Sequence, residues 1–284
     1  MGEGLAGNLA LLRLQKAPFV ARLGKADVLD HLANPAAATG GNLLHGPYGF
    51  SVADQNNYLR TDWSGAPEAE EQIATIERVI LDQVDRHCDS RESVMVLGAG
   101  TGRHLYDLAD RFDHATGVDS TYAYVDLFHR LRAGPIRFWF INTRSPVSDD
   151  TLVREVVACL PPDAAARLGK IDYPVADAAA LPLADGSQSA VVAIFFSDVI
   201  PLAQLLPEVA RVLHPGGKYI CYGPLTYQFD DPAAYLSPGE ARHVLAMNGF
   251  RVEQEARSEL LFQAFPDVGM KRIYRIWSYV ASRA

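Results

Sequence analysis

The stretch Val94-Met-Val-Leu-Gly-Ala-Gly-Thr-Gly-Arg103 places four apolar residues directly before three alternating glycines. Four apolar residues in a row predict a short strand that is buried on both faces. The residues from His104 to Phe112 carry apolar side chains at helical spacing and predict a helix. A strand, a glycine turn and a helix bring backbone N–H groups and a helix N-terminus up to a ligand. The candidate ligand-binding residues of this turn are Gly98, Gly100, Gly102 and Arg103.

A glycine turn alone is also compatible with a tight loop that binds nothing, so the residues at later strand ends matter. Ala115-Thr-Gly-Val-Asp-Ser120 predicts a second short strand that ends at Asp119. A carboxylate at this position can accept hydrogen bonds from both ribose hydroxyls, which makes Asp119 and Ser120 candidate ligands. A third predicted strand ends near Val175 and is followed by Asp177 and Ala178. Acids at successive strand ends favour a bound nucleoside.

A nicotinamide-dinucleotide site is the competing interpretation of the glycine turn. That site requires the pattern G-x-G-x-x-G. The last position of the pattern is Arg103 when counted from Gly98, and Leu105 when counted from Gly100. Neither residue is glycine, so we set this interpretation aside.

Over about residues 92–225 these motifs together resemble the class I S-adenosylmethionine (SAM)-dependent methyltransferases, including the Pro-Gly-Gly turn at 215–217. The resemblance implies an α/β fold, a Rossmann-like doubly wound sheet of about seven strands that closes with an antiparallel hairpin. It also implies that the glycine turn wraps the methionine part of SAM, that Asp119 holds the ribose and that Asp177 with Ala178 contacts the adenine. SAM is therefore the expected cofactor, and no metal is expected.

The remaining chain predicts a helical N-terminal extension or lid over 1–65 and a SAM-binding domain over 66–284. An insertion is predicted at about 143–170, with an apolar helix from Leu152 to Leu160. Near the C-terminus, Ser237 and Glu240 predict a capping box at the start of a helix. Two strands follow this helix and form the closing hairpin.

Polar residues end the fourth predicted strand, where ligands of open α/β sheets bind. Ser197 and Asp198 stand at this end, so we expect them near the methyl donor and acceptor. The alternative for Asp198 is that it caps the next helix.

Arg60 and Trp63 precede a helix predicted from about Ala66. Arg60 is suited to bind the SAM carboxylate with two nitrogens. In the alternative, Arg60 forms a surface ion pair and Trp63 is a packing anchor. Asn142 follows an apolar stretch and is a candidate contact of the amino-acid end of SAM.

Four segments more closely resemble the carnosine N-methyltransferase family: Arg60-Thr-Asp-Trp-Ser64, Leu97-Gly-Ala-Gly-Thr-Gly-Arg103, Phe195-Phe-Ser-Asp198 and Gly223-Pro-Leu-Thr-Tyr-Gln-Phe229. The resemblance implies that Asp198, Tyr227 and Tyr274 hold a nitrogen of the acceptor towards the SAM methyl. Gln228 stands where that family has histidine, so the imidazole substrate is not carried over. The most direct expectation is methyl transfer to a nitrogen nucleophile of a small molecule.

Two alternatives keep the SAM site but not the methyl acceptor. In the first, the α-amine of SAM attacks its own γ-carbon, which forms azetidine-2-carboxylate and releases methylthioadenosine. Aromatic faces such as Tyr122, Tyr173 or Trp63 would then steady the sulfonium. In the second, the chain is a non-catalytic SAM-binding regulator or a partner subunit.

Composition bounds the remaining possibilities. The 284 residues are 49% hydrophobic and 21% charged, with a net charge of −8, which favours a globular domain and disfavours a general nucleic-acid surface. The three cysteines lack metal-like spacing, and no signal peptide or membrane-spanning run is evident. We therefore expect a cytoplasmic monomer or homodimer that acts on a small molecule and binds neither nucleic acid nor membrane.

Overall fold

The computed structural model describes residues 52–141, 153–229, 231–263 and 265–284. The α-helices are α1 (Val52–Trp63), α2 (Pro67–His87), α3 (Arg103–Leu108), α4 (Tyr122–Ala133), α5 (Ala165–Leu168), α6 (Leu202–Val212) and α7 (Pro238–Met247). The strands are β1 (Ser93–Leu97), β2 (His114–Val118), β3 (Ile136–Ile141), β4 (Val153–Ala158), β5 (Ile171–Asp172), β6 (Gln188–Ile194), β7 (Leu213–Gly223), β8 (Phe250–Phe262) and β9 (Arg272–Arg283).

Seven strands form one sheet in the order β5-β2-β1-β6-β7-β9-β8. The first five of these strands are parallel, whereas β9 pairs antiparallel with both β7 and β8. The predicted α/β sheet with a C-terminal antiparallel hairpin is therefore confirmed. The carboxyl ends of the parallel strands meet at one edge, which is where ligands bind in such sheets.

Burial explains why the central strands read as continuous apolar runs. Every residue of β6 is buried, and so are the last four residues of β1. Helices cover parallel sheets on both faces, so their central strands need apolar side chains in both directions. Leu205, Leu206 and Val209 of α6 are fully buried in the core cluster that covers one face.

The chain divides into two compact units. One comprises the described residues up to Glu70 together with Thr121–Pro161 and Gln263–Lys271. It contains α1, α4 and a separate antiparallel pair of β3 and β4. The other comprises Glu71–Ser120, Pro162–Phe262 and Arg272–Ala284 and holds the seven-stranded sheet.

The predicted helix over 152–160 is wrong. Val153–Ala158 forms β4, which pairs with β3 from Ile141↔Val153 to Ile136↔Ala158. Its β-branched valines fit a strand well, and pairing with a distant apolar strand decides the outcome. The predicted helical extension before residue 52 and the candidate Asn142 lie outside the described residues. The predicted domain boundaries stay a prediction.

The start of α7 matches its predicted capping box. The Ser237 side chain accepts from the backbone N–H of Glu240, and the Glu240 carboxylate accepts from the backbone N–H of Ser237. Within the described residues, no helix is both long and apolar enough to cross a bilayer.

Candidate cofactor and acceptor site

The glycine turn after β1 requires glycine for two different reasons. Gly98, Gly100 and Gly102 have φ angles of +57°, +58° and +86°, a region that side chains with a Cβ rarely adopt. A Cβ on Gly98 would lie 2.2 Å from Cδ2 of Phe196, whereas a Cβ on Gly100 would meet nothing within 4 Å. The turn is thus packed behind Gly98 and open beside Gly100.

The peptide groups of Gly100 are held from both sides. Its N–H donates to Oδ2 of Asp119 at 3.1 Å, and its carbonyl accepts from the hydroxyl of Tyr173 at 2.6 Å. Tyr173 is only 4% exposed, so this hydroxyl is fixed by packing as well as by the hydrogen bond. The arrangement fixes the turn and the carboxylate of Asp119 relative to each other.

The ends of β2 and of the stretch after β5 lie side by side. Asp119 and Val175 form a parallel bridge, and the N–H of Ala176 donates to the carbonyl of Asp119 at 3.1 Å. Asp177 follows on the surface, where Oδ1 accepts from the N–H of Ala179, and Ala178 is buried. Asp119, half-buried Ser120 and the 177–178 stretch therefore share the edge that carries the turn. Open space beside Gly100 and carboxylates at two strand ends fit the methionine and nucleoside parts of SAM.

Arg103, the first residue of α3, has a partner within that helix. Its Nε donates to Oδ2 of Asp107 at 2.8 Å. Contact between Arg103 and the cofactor stays a prediction.

Asp198 follows β6 and is 1% exposed. Its Oδ2 accepts from the hydroxyl of Thr226 at 2.8 Å and from the N–H of Thr226 at 3.3 Å. Its Oδ1 is buried without a hydrogen-bond partner in the described part of the chain. The expectation that Asp198 caps the next helix is wrong, because Pro201 occupies the N-cap of α6.

Burial sets the acid–base behaviour of Asp198. Removal from water disfavours the carboxylate and raises the pKa of Asp198 above its ordinary value, and the hydrogen bonds from Thr226 offset only part of this effect. An unpartnered carboxylate oxygen with a raised pKa is suited to accept an N–H or to take a proton. Ser197, the preceding residue, is buried.

The two candidate tyrosines lie in different aromatic groups. Tyr227 stacks on Tyr235 with ring centroids 4.9 Å apart, and its hydroxyl donates to the carbonyl of Leu236. Tyr274 packs edge-on against Phe195 and Phe262, with ring centroids 5.7 and 5.2 Å apart, respectively. Phe195 has a φ of +52°, in the strained left-handed region. Strained residues of this kind cluster at functional sites.

Arg60 belongs to the other unit and forms a buried ion pair there, not a surface one. Its Nη2 lies 2.6 Å from Oδ1 of Asp267, and both side chains are at most 5% exposed. The guanidinium carbon lies 4.4 Å from the ring centre of Phe140 and 3.8 Å from that of Phe265. Nη1 is buried without a hydrogen-bond partner among the described residues.

Trp63 lies in the same unit as Arg60 and is 2% exposed. Its ring is tilted by 46° against the ring of Phe128, with the ring centroids 6.5 Å apart. Its backbone carbonyl accepts a hydrogen bond from the N–H of Cys159. These contacts show packing, and a role in cofactor binding stays a prediction for both Arg60 and Trp63.

The roles of three residues were not predicted from the sequence. Thr226 stands beside Tyr227 in a segment noted for its resemblance, but nothing in the pattern distinguished it as the partner of Asp198. The hydroxyl of Tyr173 and the carboxylate of Asp267 act through contacts between distant parts of the chain, for which one sequence carries no signal.

Comparison with known proteins gave a family match and similar folds. Residues 151–221 match the family model described as Methyltransferase domain. A SAM-dependent methyltransferase from Aquifex aeolicus is 16% identical with a TM-score of 0.50, covering 81% of this chain and 99% of that chain. A protein from Galdieria sulphuraria, provisionally assigned as a sarcosine dimethylglycine methyltransferase, is 10% identical with a TM-score of 0.56, covering 81% and 98%. At such identities these structures show a common fold and nothing finer.

Among curated proteins, the chain is similar to the cell division protein FtsQ of Mycolicibacterium smegmatis, with 28% identity over 180 residues. The match covers 60% of this chain and 47% of FtsQ, so the chain spans about half the length of that relative. This partial similarity does not establish a common family.

The family match and the sheet order agree with the glycine turn. The chain has the Rossmann-like fold of the SAM-dependent methyltransferases. The match to the methyltransferase model supports SAM as the cofactor and methyl transfer as the class of reaction.

Proposed function

We propose that this protein transfers the methyl group of SAM to a nitrogen nucleophile of a small molecule. The observation that carries the proposal is the Oδ1 atom of Asp198, a buried acceptor without a partner among the described residues, at the carboxyl edge of the sheet. A nucleophile that carries an N–H or an O–H satisfies this acceptor, whereas a carbon nucleophile does not. The resemblance of Phe195-Phe-Ser-Asp198 to an N-methyltransferase family favours nitrogen.

SAM supplies an electrophilic methyl group on a sulfonium, which is already a good leaving group. The contribution of the protein is therefore to align the acceptor nitrogen and to exclude water, and alignment of this kind is worth up to about 7–11 kcal/mol. Asp198 accepts the N–H of the acceptor and so directs its lone pair away from the carboxylate. The raised pKa of Asp198 lets it take the proton of a nucleophile that arrives protonated.

In this proposal the glycine turn binds the methionine part of SAM, Asp119 and Ser120 bind the ribose, and Asp177 with Ala178 contacts the adenine. Nη1 of Arg60 lacks a partner among the described residues, which suits it to the SAM carboxylate. The remaining proposed contacts, with cofactor or acceptor, are Trp63, Arg103, Asn142, Ser197, Tyr227 and Tyr274.

The test is to incubate the pure protein with SAM, alone and with a cell extract, and to identify products by mass spectrometry. We expect S-adenosylhomocysteine only when an acceptor is present. Methylthioadenosine and a four-carbon amino acid, formed from SAM alone above a blank without protein, would instead indicate cyclisation or lysis of SAM. Binding of SAM without turnover under either condition would indicate a regulator.

The variant Asp198→Asn tests the proposed site. We expect it to bind SAM normally and to lose roughly tenfold or more of its turnover, the low end for a positioned acid or base. The control is Asp113→Asn, which changes an exposed carboxylate before β2 and should leave turnover unaltered. Equal turnover of the Asp198 variant and the wild type would remove Asp198 from the mechanism.

A further inference from the structure

A groove of about 690 Å³ runs beside the β8–β9 hairpin. Its lining includes Thr226 from the loop after β7, Arg257 and Glu259 from β8, and Arg275 and Trp277 from β9. Apolar side chains and charged ends thus face the same space, which is the composition of a site for a small polar ligand.

The charges of this groove are unbalanced. In the hairpin register Arg257 lies opposite Trp277, and Glu259 lies opposite Arg275. Opposite residues of an antiparallel pair share a face, and diagonal neighbours such as Arg257 and Arg275 are about 7–8 Å apart or closer. Neither arginine forms an ion pair within the described part of the chain, not even with the nearby Glu259. Two like charges at this spacing favour an anion between them.

Thr226 connects the groove to the candidate acceptor site. It lines the groove, and its hydroxyl and N–H hold Oδ2 of Asp198. The loop that carries Thr226 begins after Gly223, which pairs with Trp277 of β9. Arg275 therefore lies two residues along β9 from the point where this loop leaves the sheet, a distance of about 7 Å at strand spacing.

We propose that this groove binds an anionic group on the methyl acceptor. The proposal rests on the proposed function and narrows its substrate class to a nitrogen nucleophile that also carries a carboxylate or a phosphate. The planar guanidinium groups of Arg257 and Arg275 match either anion with paired hydrogen bonds. Trp277 and its apolar neighbours would cover the carbon chain between the two ends of the acceptor.

The direct test observes the arginine side chains by NMR, through their guanidinium nitrogen resonances. The probes are 4-aminobutyrate, phosphoethanolamine and butylamine, added with and without S-adenosylhomocysteine. We expect saturable shifts of Arg257 and Arg275 with one or both anionic probes and none with butylamine, and the tighter anionic probe identifies the anion. The control is Arg272, which lies on β9 and outside the groove lining. No saturable shift with either anion, or equal shifts of Arg272, would overturn the proposal.

Variants of the groove residues provide an independent test, because binding of the anionic probe should weaken in some of them and tighten in another. Arg257→Gln and Arg275→Gln should each weaken binding of the anionic probe by about tenfold, the scale of one lost hydrogen bond to a charged group. Glu259→Gln removes the competing carboxylate and should tighten binding, while Arg272→Gln should change nothing. A protein that fails to bind S-adenosylhomocysteine in calorimetry but still shifts at Arg257 would contradict the proposed function and leave the anion site standing. A protein that binds S-adenosylhomocysteine but prefers neither anionic probe over butylamine would contradict the anion site and leave the proposed function standing.

Discussion

At the scale of single residues, Asp198 lowers the stability of the folded protein and is proposed to bind the methyl acceptor. One of its carboxylate oxygens is held by Thr226, while the other is buried without a partner among the described residues. Burial without full compensation raises the pKa of Asp198, so the folded protein holds this proton more tightly than the unfolded chain does. The stability that protonated Asp198 allows is therefore lost as the pH rises through that raised pKa.

A prediction about stability follows from the direction of this pKa shift. Asp198→Asn should raise the free energy of unfolding at neutral pH, by on the order of 1 kcal/mol, because it removes a buried charge. The gain should disappear at acidic pH, where Asp198 is protonated in the folded protein. Urea unfolding of both proteins across this pH range measures the difference. A variant that is less stable than the wild type at neutral pH would show that Oδ1 finds a partner in solution.

Tyr173 is the second residue for which a single atom matters. Tyr173→Phe removes only the hydroxyl that donates to the carbonyl of Gly100. We expect affinity for S-adenosylhomocysteine to fall roughly fivefold, the equivalent of about 1 kcal/mol. Affinity for methylthioadenosine, which lacks the amino-acid end, should fall less, because the turn is proposed to bind that end.

Calorimetry with both ligands distinguishes this role from a general loss of structure. The control is Tyr219→Phe, which removes another buried hydroxyl, on β7, away from the turn. Equal losses for the two ligands, or an equal effect of the control, would assign Tyr173 a packing role only.

At the scale of elements, substitutions in the glycine turn can distinguish the cost of a left-handed backbone from a steric clash with the bound cofactor. Gly100 and Gly216 both have positive φ, at +58° and +79°, and a Cβ on either would meet nothing within 4 Å. Gly100→Ala and Gly216→Ala should therefore cost similar stability, about 1–2 kcal/mol for the left-handed conformation. Only Gly100→Ala should also abolish SAM binding, because its new methyl group would enter the proposed cofactor space. Thermal unfolding and calorimetry on the two variants test this pair, and normal SAM binding by Gly100→Ala would place the cofactor elsewhere.

Elements also show what the sequence alone could predict. The buried parallel strands, the glycine turn and the capping box of α7 carry local signals, because apolar runs, glycine and Ser-x-x-Glu each have a direct structural cause. The stretch from Leu152 to Leu160 carries no such decisive signal, since its valines fit a helix face and a strand alike. Pairing with β3 decides it, and that pairing is set by tertiary structure. The partners of Asp198 and of Arg60 escaped prediction for the same reason.

At the scale of the whole chain, the pair of Arg60 and Asp267 joins residues 207 positions apart. Arg60→Met should cost about 3–5 kcal/mol, because it leaves the buried Asp267 carboxylate without the guanidinium that lies 2.6 Å from it. The double variant Arg60→Met, Asp267→Leu should recover most of that loss. Urea unfolding measures both effects.

The same double variant tests whether Arg60 also binds the cofactor. If Nη1 of Arg60 contacts the SAM carboxylate, the double variant regains stability without regaining SAM affinity. Full recovery of both properties would leave Arg60 with a structural role alone.

The position of β9 between β7 and β8 has a consequence for synthesis on the ribosome. β8 emerges from the exit tunnel before β9, yet it joins the sheet only through β9. Until Arg272–Arg283 has emerged, β7 presents an open edge of unpaired backbone groups, and β8 has no place in the sheet. Exposed edges of this kind recruit other strands, and domains with long-range pairing fold slowly. The nascent chain is therefore prone to aggregation until β9 has left the tunnel, and a translational pause before that point would prolong the exposure of the β7 edge.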